Sequence, residues 1–160
     1  MRIQPTEPSA TLGPALREPG SFGRAAAWLS KQVELALVSS ELSLPQYRVL
    51  GILAEGASIP SALAERLTVR RPTVTAVVDG LETRGLVQRT PGDLDKRSVT
   101  HTLTPKGQRL LAKANTAVDA RLTDIAACLD DAVLTEQALE SLDLWRGAMR
   151  AYHRAQAAQA

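Results

Sequence analysis

The sequence predicts a mainly α-helical fold with one short β-hairpin set into it, on three observations. Apolar residues recur at three- and four-residue spacing through most of the 160 residues. The rhythm breaks once, where two runs rich in β-branched residues, "LVQRT" and "SVTHTLT", flank a Pro-Gly corner in "PGDLDKR". Proline stands in the first turn of three helical stretches (Pro45, Pro72 and Pro105), and glycine closes two (Gly56 and Gly85).

Taken in order, residues 1–20 hold four prolines (Pro5, Pro8, Pro14, Pro19) and little periodicity, which predicts an extended or disordered arm. Ser21 is expected to cap a helix running to Leu42, on the spacing of Phe22, Ala25, Ala26, Leu29, Val33 and Leu37. Ser43 and Pro45 then start a helix that Gly56 stops. "IPSALAERLT" and "RPTVTAVVDGLETRG" are two short helices separated by a brief turn. Val74, Val77, Val78 and Leu81 form the inner face of the second, and Gly85 ends it. After the hairpin, Thr104 and Pro105 open a long helix to about Leu129, striped by Leu111, Ala114, Val118, Leu122, Ile125 and Leu129. The last helix carries Leu134, Ala138, Leu142, Trp145, Met149 and Tyr152 on one stripe. The first and last helices lie too far from the centre to be covered by it, so a second copy of the chain is the expected partner.

Composition narrows the function classes. Hydrophobic content of 44% and charged content of 22% are those of a globular domain. The net charge of +2 is small, but the surplus is concentrated: residues 43–106 hold nine cations against six anions. A polyanion would therefore be met in the middle third. One cysteine, Cys128, excludes an internal disulfide. No signal-peptide pattern and no apolar run near the roughly 20 residues of a membrane span is present, so the expected location is cytoplasmic.

The two short helices have the spacing of a helix-turn-helix. Ala64 is small where the helices must approach closely, and Val69, Val74 and Val77 are expected to lock the turn inward. Arg70, Arg71, Thr73, Thr75, Ala76 and Asp79 remain on the outer face. A second helix so braced offers its N-terminal residues to a major groove.

"LTVRRPTVTAVVDGLETRGLVQRTPGDLDKRSVTHTLTPKGQRLL" resembles the MarR family of bacterial winged-helix regulators, and the likeness extends from about Leu42 to Leu111. It is carried by "LAERL", "VVDGLETRGLV", "DLDKRS" and "LTPKG" in the right order and spacing. The resemblance implies a winged helix-turn-helix with long N- and C-terminal dimerisation helices. On this division, residues 1–20 are the arm, 21–42 the N-terminal dimerisation helix, 43–104 the DNA-binding lobe and 105–156 the C-terminal dimerisation helices. It further implies a homodimer on double-stranded DNA, usually as a repressor, with a pseudo-palindromic operator.

By that resemblance, Arg97 enters the minor groove and Asp95, two residues earlier, orients it; Lys96 stands where relatives often carry another Arg and would meet a phosphate. On the recognition helix, Arg70 and Arg71 are expected to reach phosphates or a guanine edge. Pro72 and Thr73 suit thymine methyls, and Thr75 a base or the DNA backbone. Ala76 replaces a basic residue common in the family, which shifts readout toward Arg71 and DNA shape. Family members are often released from DNA by small aromatic or other apolar effectors; Trp28, Tyr47 and Arg48 are the candidates to line such a pocket.

Other chemistries find little support. Cys128 lies on the "IAACL" stripe and is expected to pack as a small hydrophobe rather than act as a redox switch. His101 and His153 lack a third ligand at metal spacing. There is no Gly-rich phosphate loop and no nucleophile–base set, so no catalytic residue, metal or cofactor is expected. The competing reading is a winged-helix docking or dimerisation module without specific DNA binding. Arg71, Asp95 and Arg97 argue against it, since a docking wing has no use for a buttressed arginine.

Overall fold

The computed structural model describes residues 19–56, 58–91 and 99–157. The chain divides into two units, Met1–Lys31 and Gln32–Ala160. The first helix, α1 (Ser21–Leu37), begins in the first unit. Gly20 precedes it with φ +78° and accepts the Arg24 N–H, so Ser21 is the first helical residue rather than the cap. Along this part of α1, Phe22 and Trp28 are exposed.

Within the second unit α1 closes earlier than its periodicity predicts. It ends at Leu37, tightens into a 3-10 turn over Val38–Ser40, and stops at Glu41 in the left-handed region (φ 51°). Leu37 and Leu42 are both buried on either side of this turn, so the chain reverses to seat both in one core. Helix α2 (Leu44–Ala54) starts on a reciprocal cap: Ser43 Oγ accepts the Gln46 N–H, and the Gln46 side chain accepts the Ser43 N–H. Val49, Leu50 and Leu53 face inward.

Helices α3 (Pro60–Leu67) and α4 (Arg71–Thr83) follow. α3 stops on Thr68 (φ 57°), and Val69 N–H returns to the Ala64 carbonyl at 3.0 Å. This turn leaves Val69 38% exposed, so the inward lock expected of it is made instead by Leu67 and Val74. Leu63 and Ala64 on α3 meet Val74, Val78 and Leu81 on α4 in the core.

Strands β1 (Val87–Pro91) and β2 (Val99–Leu103) pair antiparallel, with Val87 opposite Leu103 and Arg89 opposite His101. His101 also exchanges both backbone hydrogen bonds with Ser58, at 2.8 and 3.1 Å, which ties the sheet to the α2–α3 connection. α5 (Pro105–Ala127) is capped by Thr104 Oγ1, which accepts the Gly107 N–H at 3.0 Å and donates to the Gly85 carbonyl at 2.7 Å. Thr104 N–H bonds the Leu86 carbonyl, so the end of α4 and the start of α5 are fastened to the same two residues.

Leu111, Ala114 and Val118 of α5 are buried in this chain's own core, and Leu122 packs half-buried against it. The stripe expected to face a partner is therefore consumed within the subunit over its first half. Ile125 and Leu129 remain exposed. α5 ends at Ala127, two residues before its periodicity does, and Cys128 is an exposed C-cap whose thiol donates to the Asp124 carbonyl at 3.5 Å. It is not packed as a hydrophobe. Asp131 then opens α6 (Ala132–Ala157) by accepting the Val133 and Leu134 N–H groups at 2.8 and 2.9 Å. α6 packs along α5, yet none of its described residues is buried.

Candidate nucleic-acid interface

α4 divides its residues cleanly between core and solvent. Val74, Val78 and Leu81 hold it against α2 and α3, while Arg71, Pro72, Thr73, Thr75 and Ala76 are exposed, with Arg70 exposed at its N-cap. The helix N-terminus and two guanidinium groups thus point out together, an arrangement suited to a phosphate or a base edge. Thr75 Oγ1 donates to the Arg71 carbonyl at 3.2 Å, which leaves its lone pairs and its methyl for a partner.

The Arg70 and Arg71 side chains have no hydrogen-bond or ion-pair partner among the described residues, whereas Arg48, Arg66, Arg84, Arg89 and Lys106 each bond a backbone carbonyl or a carboxylate. Arg84 donates to the Glu41 carbonyl at 2.8 Å, and Lys106 to the Arg84 carbonyl at 2.7 Å. Arg66 and Arg150 both pair with Glu55, whose carboxyl is held below its ordinary pKa chiefly by the Arg66 hydrogen bond. Arg89 on β1 pairs with Asp79 and with Glu82 on α4, the latter at 3.0 Å. Asp79 and Glu82 share a helix face by their spacing, but an arginine ten residues beyond Asp79 meets them only because the strand folds back, so no local pattern announces the cluster.

The wing residues Asp95, Lys96 and Arg97 lie outside the described residues. The stem that carries them is reinforced by Thr90 and Thr100, whose hydroxyls bond at 2.9 Å.

His101 lies beneath this stem, 3% exposed, and its Nδ1 has no hydrogen-bond partner among the described residues. Burial holds its pKa below the ordinary 6.5; nearby Arg89 pushes the same way, and the Ser58 backbone, Glu82 and Asp79 oppose without prevailing. A depressed folded pKa means that the unfolded chain binds the proton first. The stability His101 contributes is thus intact above pH 6.5 and is lost as the pH falls from there through the depressed folded value. The melting temperature should drop over that window, and an NMR titration of the His101 ring should give a midpoint under 6.5; a midpoint at or above it would show that the ring is hydrated.

Of the three expected effector residues, Tyr47 and Arg48 lie on α2 and engage different neighbours. Tyr47 Oη bonds Asn115 on α5 at 2.8 Å, and burial raises its pKa. Arg48 turns the other way, to the Leu67 carbonyl that ends α3, at 3.4 Å. Trp28 belongs to the first unit and is exposed. Beside Tyr47, an open groove of about 480 Å³ is lined by Leu53, Leu103 and Leu111 with Thr102, Gln108 and Asn115. Thr102 Oγ1 is buried there without a hydrogen-bond partner among the described residues.

The comparisons bear on this geometry. A profile described as the MarR family matches residues 40–98, which span α2 through the wing. An HTH-type transcriptional regulator of Mycobacterium bovis is 38% identical over 103 residues, covering 64% of this chain and 72% of that protein. The chain belongs to the MarR family. Another similar protein, the homoprotocatechuate degradative operon repressor of Escherichia coli, is 34% identical over 54% of this MarR-family chain and 59% of its own length. Among solved structures, the repressor CouR bound to a 23-mer DNA duplex aligns with TM-score 0.68 and 27% identity, over 86% of this chain and 99% of that one. NadR in complex with 4-hydroxyphenylacetate aligns with TM-score 0.63 and 27% identity, over 93% of this chain and 98% of that one. The winged helix-turn-helix is therefore the family's own. No helix of the described residues is long and apolar enough to cross a membrane.

Proposed function

We propose that this chain is a sequence-specific, DNA-binding transcriptional repressor that acts in the cytoplasm as a homodimer on a pseudo-palindromic operator. The observation that carries the reading is the outer face of α4, where Arg70 and Arg71 stand exposed, with no side-chain partner among the described residues, beside Pro72, Thr73 and Thr75. CouR, a repressor similar to this chain, has been solved on duplex DNA, which supports the same use of the fold. Two-fold symmetry would set the recognition helices in successive major grooves about 34–36 Å apart. Each wing would add Arg97, steadied by Asp95, to the minor groove and Lys96 to a phosphate.

The dimer reading rests on apolar surface that the subunit leaves uncovered. On α6, Trp145 is 64% and Met149 54% exposed, with Leu144 and Tyr152 beside them in sequence. Aromatic and aliphatic side chains grouped on one long helix are expected at an interface. Release by a small aromatic or apolar effector is also proposed. NadR holds 4-hydroxyphenylacetate and another CouR structure holds p-coumaroyl-CoA, and the groove beside Tyr47 is where this chain would take a comparable molecule. Arg48 is proposed as a flanking contact.

Sequencing the genomic fragments retained by the purified protein at two salt concentrations tests the reading. An enriched inverted repeat whose binding falls steeply with salt is the expected result; no enrichment would turn the assignment to a docking module. On the operator so found, Arg97→Ala should cost roughly 1–3 kcal/mol and Arg71→Ala should relax the preference at one base pair. Unchanged mobility shifts would remove the residue concerned from the interface.

A further inference from the structure

We propose that Arg89 is a positioning residue that keeps the recognition helix compatible with DNA by neutralising Asp79 and Glu82, and that it makes no phosphate contact of its own. The inference rests on the DNA-binding reading of α4 and adds a specific requirement to it.

α4 presents two chemically opposed surfaces to a duplex. Its N-terminal turn offers Arg70 and Arg71, while Asp79 and Glu82 occupy its last turns, Asp79 with its side chain 54% exposed. Asp79 lies eight residues beyond Arg71 and four beyond Thr75, on adjoining turns of one side of the helix. Two bare carboxylates there would repel the polyanion that the N-terminal turn attracts.

β1 supplies the remedy. Arg89 sits opposite His101 in the ladder, and its guanidinium reaches both carboxylates, through Nε to Glu82 at 3.0 Å and through Nη2 to Asp79. The planar fork suits two acceptors at once, which a lysine ammonium does not reproduce. Two carboxylates offset the single positive charge of Arg89, so what the guanidinium contributes at this face is neutralisation of α4 rather than a net attraction for a phosphate. The same contacts fasten β1 to α4. The groups are substantially exposed, so the cluster contributes little to folding, and its role lies in binding.

A double-mutant cycle separates this from a direct phosphate contact. The probe is short random-sequence duplex DNA at low salt, with helical circular dichroism to verify that each variant is folded. Arg89→Gln should weaken binding about tenfold or more, because it leaves two uncompensated anions facing the duplex. In the Asp79→Asn/Glu82→Gln background the same change should cost less than about twofold, because nothing remains to neutralise. Equal costs in both backgrounds would mean that Arg89 meets DNA itself, and the proposal falls while the regulator reading stands. Asp79→Asn/Glu82→Gln alone retains Arg89 and should bind within about twofold of the unaltered protein. A gain of tenfold would show that the carboxylates already face DNA bare, which also overturns the proposal. Failure of the unaltered protein to bind any duplex would overturn the DNA-binding reading together with this inference.

Discussion

Gly107→Ala is expected to unfold the DNA-binding lobe at temperatures where the unaltered chain is fully folded. Gly107 is the third residue of α5, where alanine ordinarily strengthens a helix by up to about 1 kcal/mol. Here the added Cβ would stand 2.1 Å from the Leu86 carbonyl oxygen and 3.0 Å from its carbon. Both obstacles are backbone, so no rotamer change relieves them. Leu86 cannot retreat easily: it is buried, its N–H bonds Leu81, and its carbonyl accepts Thr104. Relief requires separating α5 from the start of β1, at a cost of about 3 kcal/mol or more. For a chain of this size that is a fall in melting temperature of roughly 6–12 °C. Gly147→Ala on α6 is the control, since its Cβ meets nothing within 4 Å and should raise stability slightly. Equal melting of Gly107→Ala and the unaltered chain would mean that α5 does not approach Leu86 so closely.

Converting Trp145 and Met149 together to glutamate should leave a folded monomer that has lost most of its operator affinity. Both side chains are more than half exposed and four residues apart on α6, so the subunit does not depend on them. In a dimer they would be buried, and four unpaired carboxylates per interface would prevent association. The second half-site then binds as a separate event, which forfeits about 10²–10⁴-fold in apparent affinity. Sedimentation would read the mass and a mobility shift the affinity. A dimer that survives both charges would show that this face is not the interface. Leu122→Asp makes a poorer test, because Leu122 packs against its own core and a charge there strikes the subunit first.

The parts of the fold governed by neighbouring residues were legible in the sequence. Ser43, Gln46 and Pro45 start α2, Thr104 and Pro105 start α5, and Gly85 (φ 68°) follows α4, each by a rule confined to one helical turn. The inner face of α4 was equally plain, because Val74, Val78 and Leu81 repeat at helical spacing. Periodicity could not say which molecule covers a stripe: Val118 is enclosed by its own subunit, while Leu129 and Cys128, further along the same run, are exposed. It also could not end α1 at Leu37, since the reversal there is set by burial of Leu37 and Leu42 together. Val69 was misread because the left-handed Thr68 turns the following residue outward. The exposure of Arg70, Arg71, Thr73 and Thr75 on α4 depended on a helical face and was readable. The Arg89 cluster depended on strand register and was not.

The interleaving on α4 has a consequence for how such a protein diverges. Residues that hold the helix down and residues that face outward are separate sets, so Arg70, Arg71, Thr73, Thr75 and Ala76 lie outside the core. Exchanges at exposed positions of this kind generally alter stability by no more than about 0.5 kcal/mol. If these five positions read DNA as proposed, a copy could drift to a new operator after gene duplication while its scaffold stayed constant, and the lineage would change its targets faster than its architecture.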